Sequence, residues 1–94
     1  MNINLTENEI KLLKTCLNYD DRETQLNDNF TNCTIEDAMK VLNWNVFQIG
    51  GLLSSLITKR LMYVENSSDR KQDDIYITEE GVNAIFDIIE SGAI

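Results

Sequence analysis

The chain has 94 residues, 43% of them hydrophobic, which is enough for one small domain with a single core. Sixteen acidic residues against eight basic ones give a formal net charge of −8, and histidine is absent. A chain this negative opposes non-specific binding to DNA, because polyanions are held by lysine and arginine side chains that displace counterions. Four of the bases are nevertheless concentrated in one short stretch, between residues 59 and 71.

The start of the chain lacks the basic residues and long apolar run of a signal peptide. No window approaches the ~20 apolar residues of a membrane span, so we expect a cytoplasmic protein. Two cysteines, Cys16 and Cys33, exclude a disulfide scaffold, and without histidine they exclude a familiar zinc set. We expect unpaired thiols, with Cys16 a small buried hydrophobe on a helix face.

The first predicted helix spans about 7–18. Thr6 and Glu9 have the spacing of a capping box, and Leu5 and Ile10 are placed as a hydrophobic staple across it. Four residues recur at helical spacing and predict one buried face. They are Ile10, Leu13, Cys16 and Leu17.

Residues 19–33 are polar and acidic, with only Tyr19, Leu26 and Phe30 to anchor them. The spacing from Leu26 to Phe30 fits a short helical turn. A loop this long is unusual between packed helices, so it is either an ornament or a contact surface. The simpler interpretation is a surface connection held by Phe30.

Capping boxes also begin the next two predicted helices. They pair Thr34 with Asp37 and Asn45 with Gln48, and the helices span about 34–42 and 45–59. Helix, short turn and helix is the spacing of a helix-turn-helix. Trp44 lies in the turn and is expected to plug the core and set the angle between the helices.

The predicted helix 45–59 has two faces. The face expected to be buried contains Ile49, Leu52, Leu53, Leu56 and Ile57. The face expected to be exposed contains Phe47, Gln48, Gly50, Gly51, Ser54, Ser55, Thr58 and Lys59. For Phe47, partial burial against Trp44 is as compatible with the pattern as contact with a partner.

Two short strands, 61–65 and 74–77, flank a polar segment, 66–73, that we call the wing tip. Thr78 then caps a last helix of about 79–91, whose apolar stripe is Val82, Ile85, Phe86 and Ile89.

The predicted order is α-α-α-β-β-α, mainly α with a small β-hairpin wing at about 61–77. The pattern predicts a winged helix-turn-helix fold in which residues 1–94 form a single domain.

Several short motifs resemble those of MarR-type transcriptional regulators in order and spacing. Leu56-Ile57-Thr58-Lys59-Arg60-Leu61-Met62 resembles the L-x-x-x-G-L-I that ends the recognition helix. Asp69-Arg70-Lys71 and Ile77-Thr78-Glu79-Glu80-Gly81 resemble the D-x-R of the wing and the L-T-x-x-G that follows it, and Leu5-Thr6 resembles the L-T that opens the first core helix. The resemblance covers nearly the whole chain.

The chain departs from that pattern at two positions. Arg60 stands where glycine is usual, and Lys71 replaces the wing arginine. Lysine keeps the charge but loses the planar fork that enters a narrow minor groove. The long outer helices through which such regulators dimerise are not among the predicted elements, so their usual dimer is not carried over to this chain.

The resemblance implies a DNA-binding regulator that inserts helix 45–59 into the major groove and sets the wing tip against the backbone or minor groove. Gln48 is expected to read adenine, and Gly51, like Gly50, to permit close backbone approach. Further candidates for base or phosphate contacts are Ser54, Ser55 and Thr58. The candidates for phosphate contacts are Lys59, Arg60, Arg70 and Lys71.

A second hypothesis is an acidic protein-protein interaction module that binds no DNA, docking through helix 45–59 or through 19–33. A homodimer through the C-terminal helix is plausible if Ile88 and Ile94 lie on its outer side. No constellation of side chains indicates catalysis, a cofactor or a metal.

Overall fold

The computed structural model describes residues 4–28 and 32–92. Within them the chain forms five α-helices, three β-strands and one short 3₁₀ helix. In chain order these are α1 (Glu7–Thr15), α2 (Arg22–Asn27), β1 (Asn32–Thr34), α3 (Ile35–Leu42), α4 (Val46–Thr58), β2 (Met62–Glu65), the 3₁₀ helix (Arg70–Gln72), β3 (Asp74–Ile77) and α5 (Glu79–Glu90). Helices α3 and α4 form the helix-turn-helix, and β2 and β3 form the wing, which confirms the predicted fold class. None of the described helices is long and apolar enough to cross a membrane.

All three predicted capping boxes are formed. At α1, the Thr6 hydroxyl accepts the N–H of Glu9 at 3.2 Å, and the Glu9 carboxylate accepts the N–H of Thr6 at 2.9 Å. The same exchange starts α3 at Thr34 and α4 at Asn45. Because the first N–H groups of a helix have no partner inside it, these exchanges determine where the three helices begin.

The described part of the segment 19–33 has secondary structure of its own, and the helical turn expected from Leu26 lies earlier, at Arg22–Asn27. It contains α2, capped by Asp21, and β1. Helix α1 ends at Thr15 instead of residue 18. Beyond it the side-chain oxygen of the buried Gln25 accepts the N–H groups of Asn18 and Tyr19 at 2.9 and 3.1 Å. Phe30 lies outside the described residues.

Arg22 attaches α2 to the last helix. Its guanidinium donates to Asp87 at 2.8 Å and to the Asn83 side chain at 3.3 Å, and it also pairs with Glu90 at 3.1 Å. These contacts span more than sixty residues of sequence. A short polar helix has little intrinsic stability, so α2 depends on tertiary contacts of this kind.

The sheet is antiparallel with the order β1-β3-β2. Residues Cys33 and Val64 both pair with Ile75, whose side chain is fully buried. On the opposite face, Tyr63 pairs with Tyr76, and their rings stack with centroids 4.8 Å apart. The alternation places one face of the small sheet on the core and leaves the other for solvent.

The core lies where α1, α3, α4, α5 and the inner face of the sheet meet. Its fully buried members include Leu12, Leu13, Cys16, Ala38, Ile49, Leu56, Leu61, Ile75 and Ile85. Trp44 packs against this cluster while partly buried, which confirms the predicted plug. One core assignment was wrong: Ile57 is 42% exposed, because α4 buries the stripe through Ile49, Leu53 and Leu56.

Helix α5 adds only part of its surface to the core. Val82, Ile85 and Phe86 are buried against it, and Ile88 is half-buried. Ile94 lies outside the described residues. A homodimer through this helix therefore stays a prediction.

The junction between α4 and α5 gives the Thr78–Gly81 motif its physical meaning. The Thr78 hydroxyl accepts the N–H of Gly81 at 3.0 Å and donates to the Arg60 carbonyl at 2.8 Å. The N–H of Thr78 donates to the Leu61 carbonyl at 3.0 Å. A β-carbon on Gly81 would lie 2.1 Å from that carbonyl oxygen, so only glycine permits this approach.

Gly81→Ala is therefore expected to lower the free energy of unfolding by roughly 1–3 kcal/mol, since a backbone oxygen must move to make room. Gly51→Ala is the matched control, because a β-carbon there meets nothing within 4 Å. It should leave stability unchanged or raise it by up to ~1 kcal/mol through helix propensity. Urea unfolding of both variants measures the difference, and equal stability of the two would contradict the assignment.

Candidate nucleic-acid interface

Helix α4 presents an exposed, uncharged stripe that we call the α4 face: Gln48, Gly51, Ser54 and Thr58. Residues 46–58 contain no acid and no base. The Thr58 hydroxyl donates to the Ser54 carbonyl at 3.0 Å, and the Gln48 side-chain oxygen serves the capping box. The face is therefore smooth, polar and small, as the sequence predicted for these four residues.

Phe47 stands beside this face at the start of α4. Its side chain is 75% exposed, so it is not buried against Trp44. Val41, near the end of α3, is also largely exposed, and no sequence pattern indicated it. Large exposed apolar side chains at one end of a helix-turn-helix are available to an apolar partner group.

Ser55 and Lys59 do not point outward as expected. The Lys59 ammonium lies 3.0 Å from both carboxylate oxygens of Glu9, and the Ser55 hydroxyl donates to the same carboxylate at 2.8 Å. Lys59 also donates to the Asn4 carbonyl at 2.8 Å. Both side chains turn inward because Glu9 is only 2% exposed and its charge requires partners.

Glu9 titrates unusually for a buried acid. Burial raises the pKa of this carboxyl, but hydrogen bonds from the Thr6 N–H, Lys59 and Ser55 outweigh it and hold the pKa below its ordinary value. The sequence revealed Glu9 as a capping residue but not as the partner of Lys59, fifty residues away.

Arg60 occupies the position where the resembling regulators carry glycine, and the backbone explains the usual choice. Its φ is 63°, in the left-handed region. The N–H of Arg60 donates to the Ile57 carbonyl and that of Leu61 to the Leu56 carbonyl, both at 2.9 Å, which is a Schellman ending of α4. A non-glycine residue in this conformation costs about 1–2 kcal/mol. The Arg60 side chain is exposed.

The wing tip is organised by its acids. Asp69 accepts the N–H of Lys71 at 3.0 Å, and the buried Asp73 accepts the N–H of Ser67 at 2.7 Å. The Lys71 side chain is exposed. Arg70 contributes its backbone to the 3₁₀ helix, and its side chain lies outside what the structure describes. These carboxylates hold backbone groups in place and leave the Lys71 ammonium to solvent.

The basic residues divide into two groups. In ion pairs are Lys11 with Glu7, Arg22 with Asp87 and Glu90, Lys40 with Glu36, and Lys59 with Glu9. Within residues 4–28 and 32–92, no ion pair forms with Lys14, Arg60 or Lys71. Of the four bases predicted to contact phosphate, Arg60 and Lys71 are thus exposed and unpaired there, and Lys59 is engaged. The described part of the chain also holds no cluster of three or more potential metal-ligating side chains.

The environment of Glu9 predicts a specific pH dependence. Its folded-state pKa is lowered, so the carboxylate contributes stability that is complete above its unfolded pKa of about 4 and is lost as pH falls through the folded value. Glu9→Gln retains an acceptor for Thr6 but removes the charge. The variant should be less stable than the wild type at neutral pH, and the gap should narrow below pH about 4.

Unfolding in urea across this pH range tests the effect. Glu7→Gln is the control, because Glu7 is exposed and its one ion pair within the described residues is with Lys11, across one helical turn at 3.6 Å. It should change stability little at any pH. A Glu9→Gln deficit that persists unchanged at the lowest pH would contradict a role for the carboxylate charge.

No family model matches the chain, and no curated protein matches it. Solved structures do. BpsR of Bordetella bronchiseptica, whose DNA binding is regulated by 6-hydroxynicotinic acid, is 18% identical with a TM-score of 0.68, over 92% of this chain and 58% of BpsR. A mutant of Staphylococcus aureus MepR bound to an oligodeoxyribonucleotide is 22% identical with a TM-score of 0.62, over 95% of this chain and 61% of MepR. A further MepR–DNA complex is 21% identical with a TM-score of 0.58, over 95% of this chain and 70% of that one.

The chain thus spans about three fifths of the length of the first two structures. At these identities the likeness concerns the fold. The chain has the winged helix-turn-helix fold, of the type that its resemblance to MarR-type regulators predicted.

Proposed function

We propose that this chain is a DNA-binding transcriptional regulator that lays α4 in the major groove and the wing tip against the backbone. One observation carries the proposal. The exposed, uncharged stripe on α4 lies between basic side chains that form no ion pair within the described residues, at the two places where a winged helix meets a duplex. The likeness of the fold to MepR, solved in complex with DNA, supports it. A non-enzymatic role, action in the cytoplasm and residues 1–94 as one domain are parts of the same proposal.

The α4 face would read bases through short polar groups. Gln48 can donate its side-chain N–H to the N7 acceptor of adenine while its oxygen stays in the capping box, and Ser54 and Thr58 have hydroxyls that suit several nucleobases. Gly51 leaves the helix backbone uncovered, so the helix could sit deep in the groove. Phe47 fits the methyl group of thymine, an apolar contact that needs no charge.

Phosphate contacts would come from Arg60, Arg70 and Lys71. Lys59 and Ser55 instead fix the end of α4 on Glu9 and so position Arg60 next to them. Such positioning matters because a side chain that contacts a nucleobase tolerates little displacement of the helix that carries it. Affinity would depend on few charged contacts. Because log K falls with log salt by about 0.9 for each phosphate neutralised, the total slope should be shallow.

Arg60→Gly tests the phosphate role without harming the fold. The change relieves the left-handed backbone, so stability should stay equal or rise by up to about 1 kcal/mol. Affinity for duplex should fall, and the salt slope should shrink by about 0.9 for each chain bound. Mobility shifts with a random duplex pool at several salt concentrations measure both quantities.

The neighbouring basic residue, Lys59, supplies the control. The double variant Glu9→Gln/Lys59→Met removes Lys59 without leaving a buried unpaired charge. Its affinity should fall because the anchor of α4 on Glu9 is lost, but its salt slope should equal that of the wild type, since Lys59 faces Glu9 and contacts no phosphate. A slope lost in this double variant but kept in Arg60→Gly would reverse the assignment. If the wild type binds no duplex at low salt, the DNA-binding proposal fails.

The alternative function, an acidic module that docks on a basic protein, is favoured by the net charge of −8 and the exposed Phe47. Opposite charges introduced at Ser54 on the α4 face distinguish DNA binding from the alternative function. Ser54→Arg should strengthen duplex binding and Ser54→Glu should weaken it, each by roughly tenfold, about 1.4 kcal/mol. Ser54 is exposed, so unfolding should be unaffected. Fluorescence anisotropy with labelled duplex gives the sign, and equal affinities of the two variants would exclude α4 as the DNA-binding helix.

A further inference from the structure

The two cysteines meet inside the fold. The Sγ atoms of Cys16 and Cys33 lie 3.2 Å apart, although the residues are seventeen positions apart in sequence. Both are free thiols. Cys16 is fully buried at the end of α1, and Cys33 is half-buried in β1. The expectation that Cys16 is buried is confirmed, but the sequence did not indicate that the thiols touch.

The fold brings them together through two rigid elements. Cys33 pairs with Ile75 on the inner face of the sheet, so its side chain points toward the core. The N–H of Cys16 donates to the Leu13 carbonyl at 3.2 Å at the end of α1. A bonded disulfide needs its sulfur atoms about 2.05 Å apart, so a displacement of about one ångström would join this pair.

We propose that Cys16 and Cys33 form a reversible redox site that a hydroperoxide converts from a dithiol to an intramolecular disulfide. Cys33 is the attacking thiol, because it is the more exposed of the two. Cys16 is the resolving thiol, because it is buried and already in contact with the sulfur it must attack. Disulfides are rare in reducing compartments, and those that form there are usually transient and catalytic or redox-sensing.

The electrostatics of the pair agree with this division. The contact with Cys33 and then burial raise the pKa of Cys16. The hydrogen bond from Cys16 lowers the pKa of Cys33, although burial and the nearby Asp37 and Asp74 oppose it. When one of the two thiols ionises, the more accessible Cys33 sulfur therefore holds the thiolate more readily, and Cys16 is then the donor of the contact.

The reaction balances in two steps. The Cys33 thiolate attacks one oxygen of the hydroperoxide, the O–O bond breaks, and an alcohol or water leaves with a proton, giving a Cys33 sulfenic acid. The Cys16 sulfur then attacks the Cys33 sulfur and forms the S–S bond. The hydroxyl leaves as water with the Cys16 proton. Two thiols have been oxidised by two electrons, and the peroxide has been reduced by two.

The disulfide would tie the end of α1 to β1 and close the segment that contains α2. The two cysteines are seventeen positions apart, and closing a loop of that length restricts the unfolded chain. Oxidation should therefore raise Tm on the order of 10 °C. The site needs no DNA, and its failure would leave the proposed DNA-binding function untouched.

The test treats the reduced, full chain with hydrogen peroxide and follows intact mass and thermal unfolding. The proposal expects a monomer that has lost two hydrogens, gained no oxygen and unfolds at higher temperature, with both changes reversed by dithiothreitol. Accumulation of sulfinic acid, disulfide-linked dimers or an oxidised monomer with unchanged Tm would each overturn it.

Single variants assign the roles. Cys16→Ala should stop at Cys33 and gain one oxygen, because no resolving thiol remains. Cys33→Ser leaves only the fully buried Cys16 and should react at least tenfold more slowly than the wild type in its folded state. A Cys33→Ser chain that reacts at the wild-type rate would contradict the proposed order of attack, and far-UV circular dichroism of each variant confirms that it is folded.

Discussion

The buried carboxylate of Glu9 links the start of the chain to the end of its exposed helix. An isolated charge at 2% exposure would cost several kcal/mol, so Glu9 requires the three donors that surround it. One belongs to its own capping box, and the other two belong to Ser55, in the last turn of α4, and to Lys59, the residue that caps it. One ionised group therefore satisfies the beginning of α1 and fixes the position of α4. Its net effect is the placement of α4 more than bulk stability, because desolvation offsets much of the attraction.

The turn that follows α4 passes this placement to the wing and to α5. Arg60 takes the left-handed conformation, and its carbonyl and that of Leu61 accept both donors of Thr78. Gly81 lies against the same Leu61 carbonyl, so α5 approaches the turn more closely than any side chain would allow. An arginine at the strained position adds a charge at the end of α4 where glycine would be easier. Strain kept at such a position is compatible with a functional role for the side chain.

Features that depend on residues close together in sequence were predictable, and features that depend on contacts between distant residues were not. The capping boxes at Thr6, Thr34 and Asn45 were predictable because cap and partner are three residues apart and report on the same turn. Helix α2 was expected only as a short turn from Leu26, because its attachment rests on Arg22, whose partners lie in α5, and on Gln25, whose oxygen accepts N–H groups of the preceding loop. The contacts between Glu9 and Lys59 and between Cys16 and Cys33 likewise depend on packing, and no spacing in the chain encodes them. Ser55 and Lys59 turn toward Glu9, so one contact between residues far apart in sequence draws two of the nine candidate residues away from the exposed face.

The distribution of charge, more than its sum, decides what the α4 face can bind. The acidic residues nearest the basic residues of the wing accept backbone N–H groups. Asp69 accepts that of Lys71, and Asp73 accepts that of Ser67. They lower the local potential without pairing with Lys71, so the ammonium remains available while long-range attraction to a polyanion stays weak. A protein with this arrangement would bind poorly to arbitrary DNA and depend on short-range fit along α4, where shape and hydrogen bonds discriminate. The same negative surface that slows encounter would also limit the time lost on non-specific sites, which makes the charge compatible with a selective DNA-binding protein.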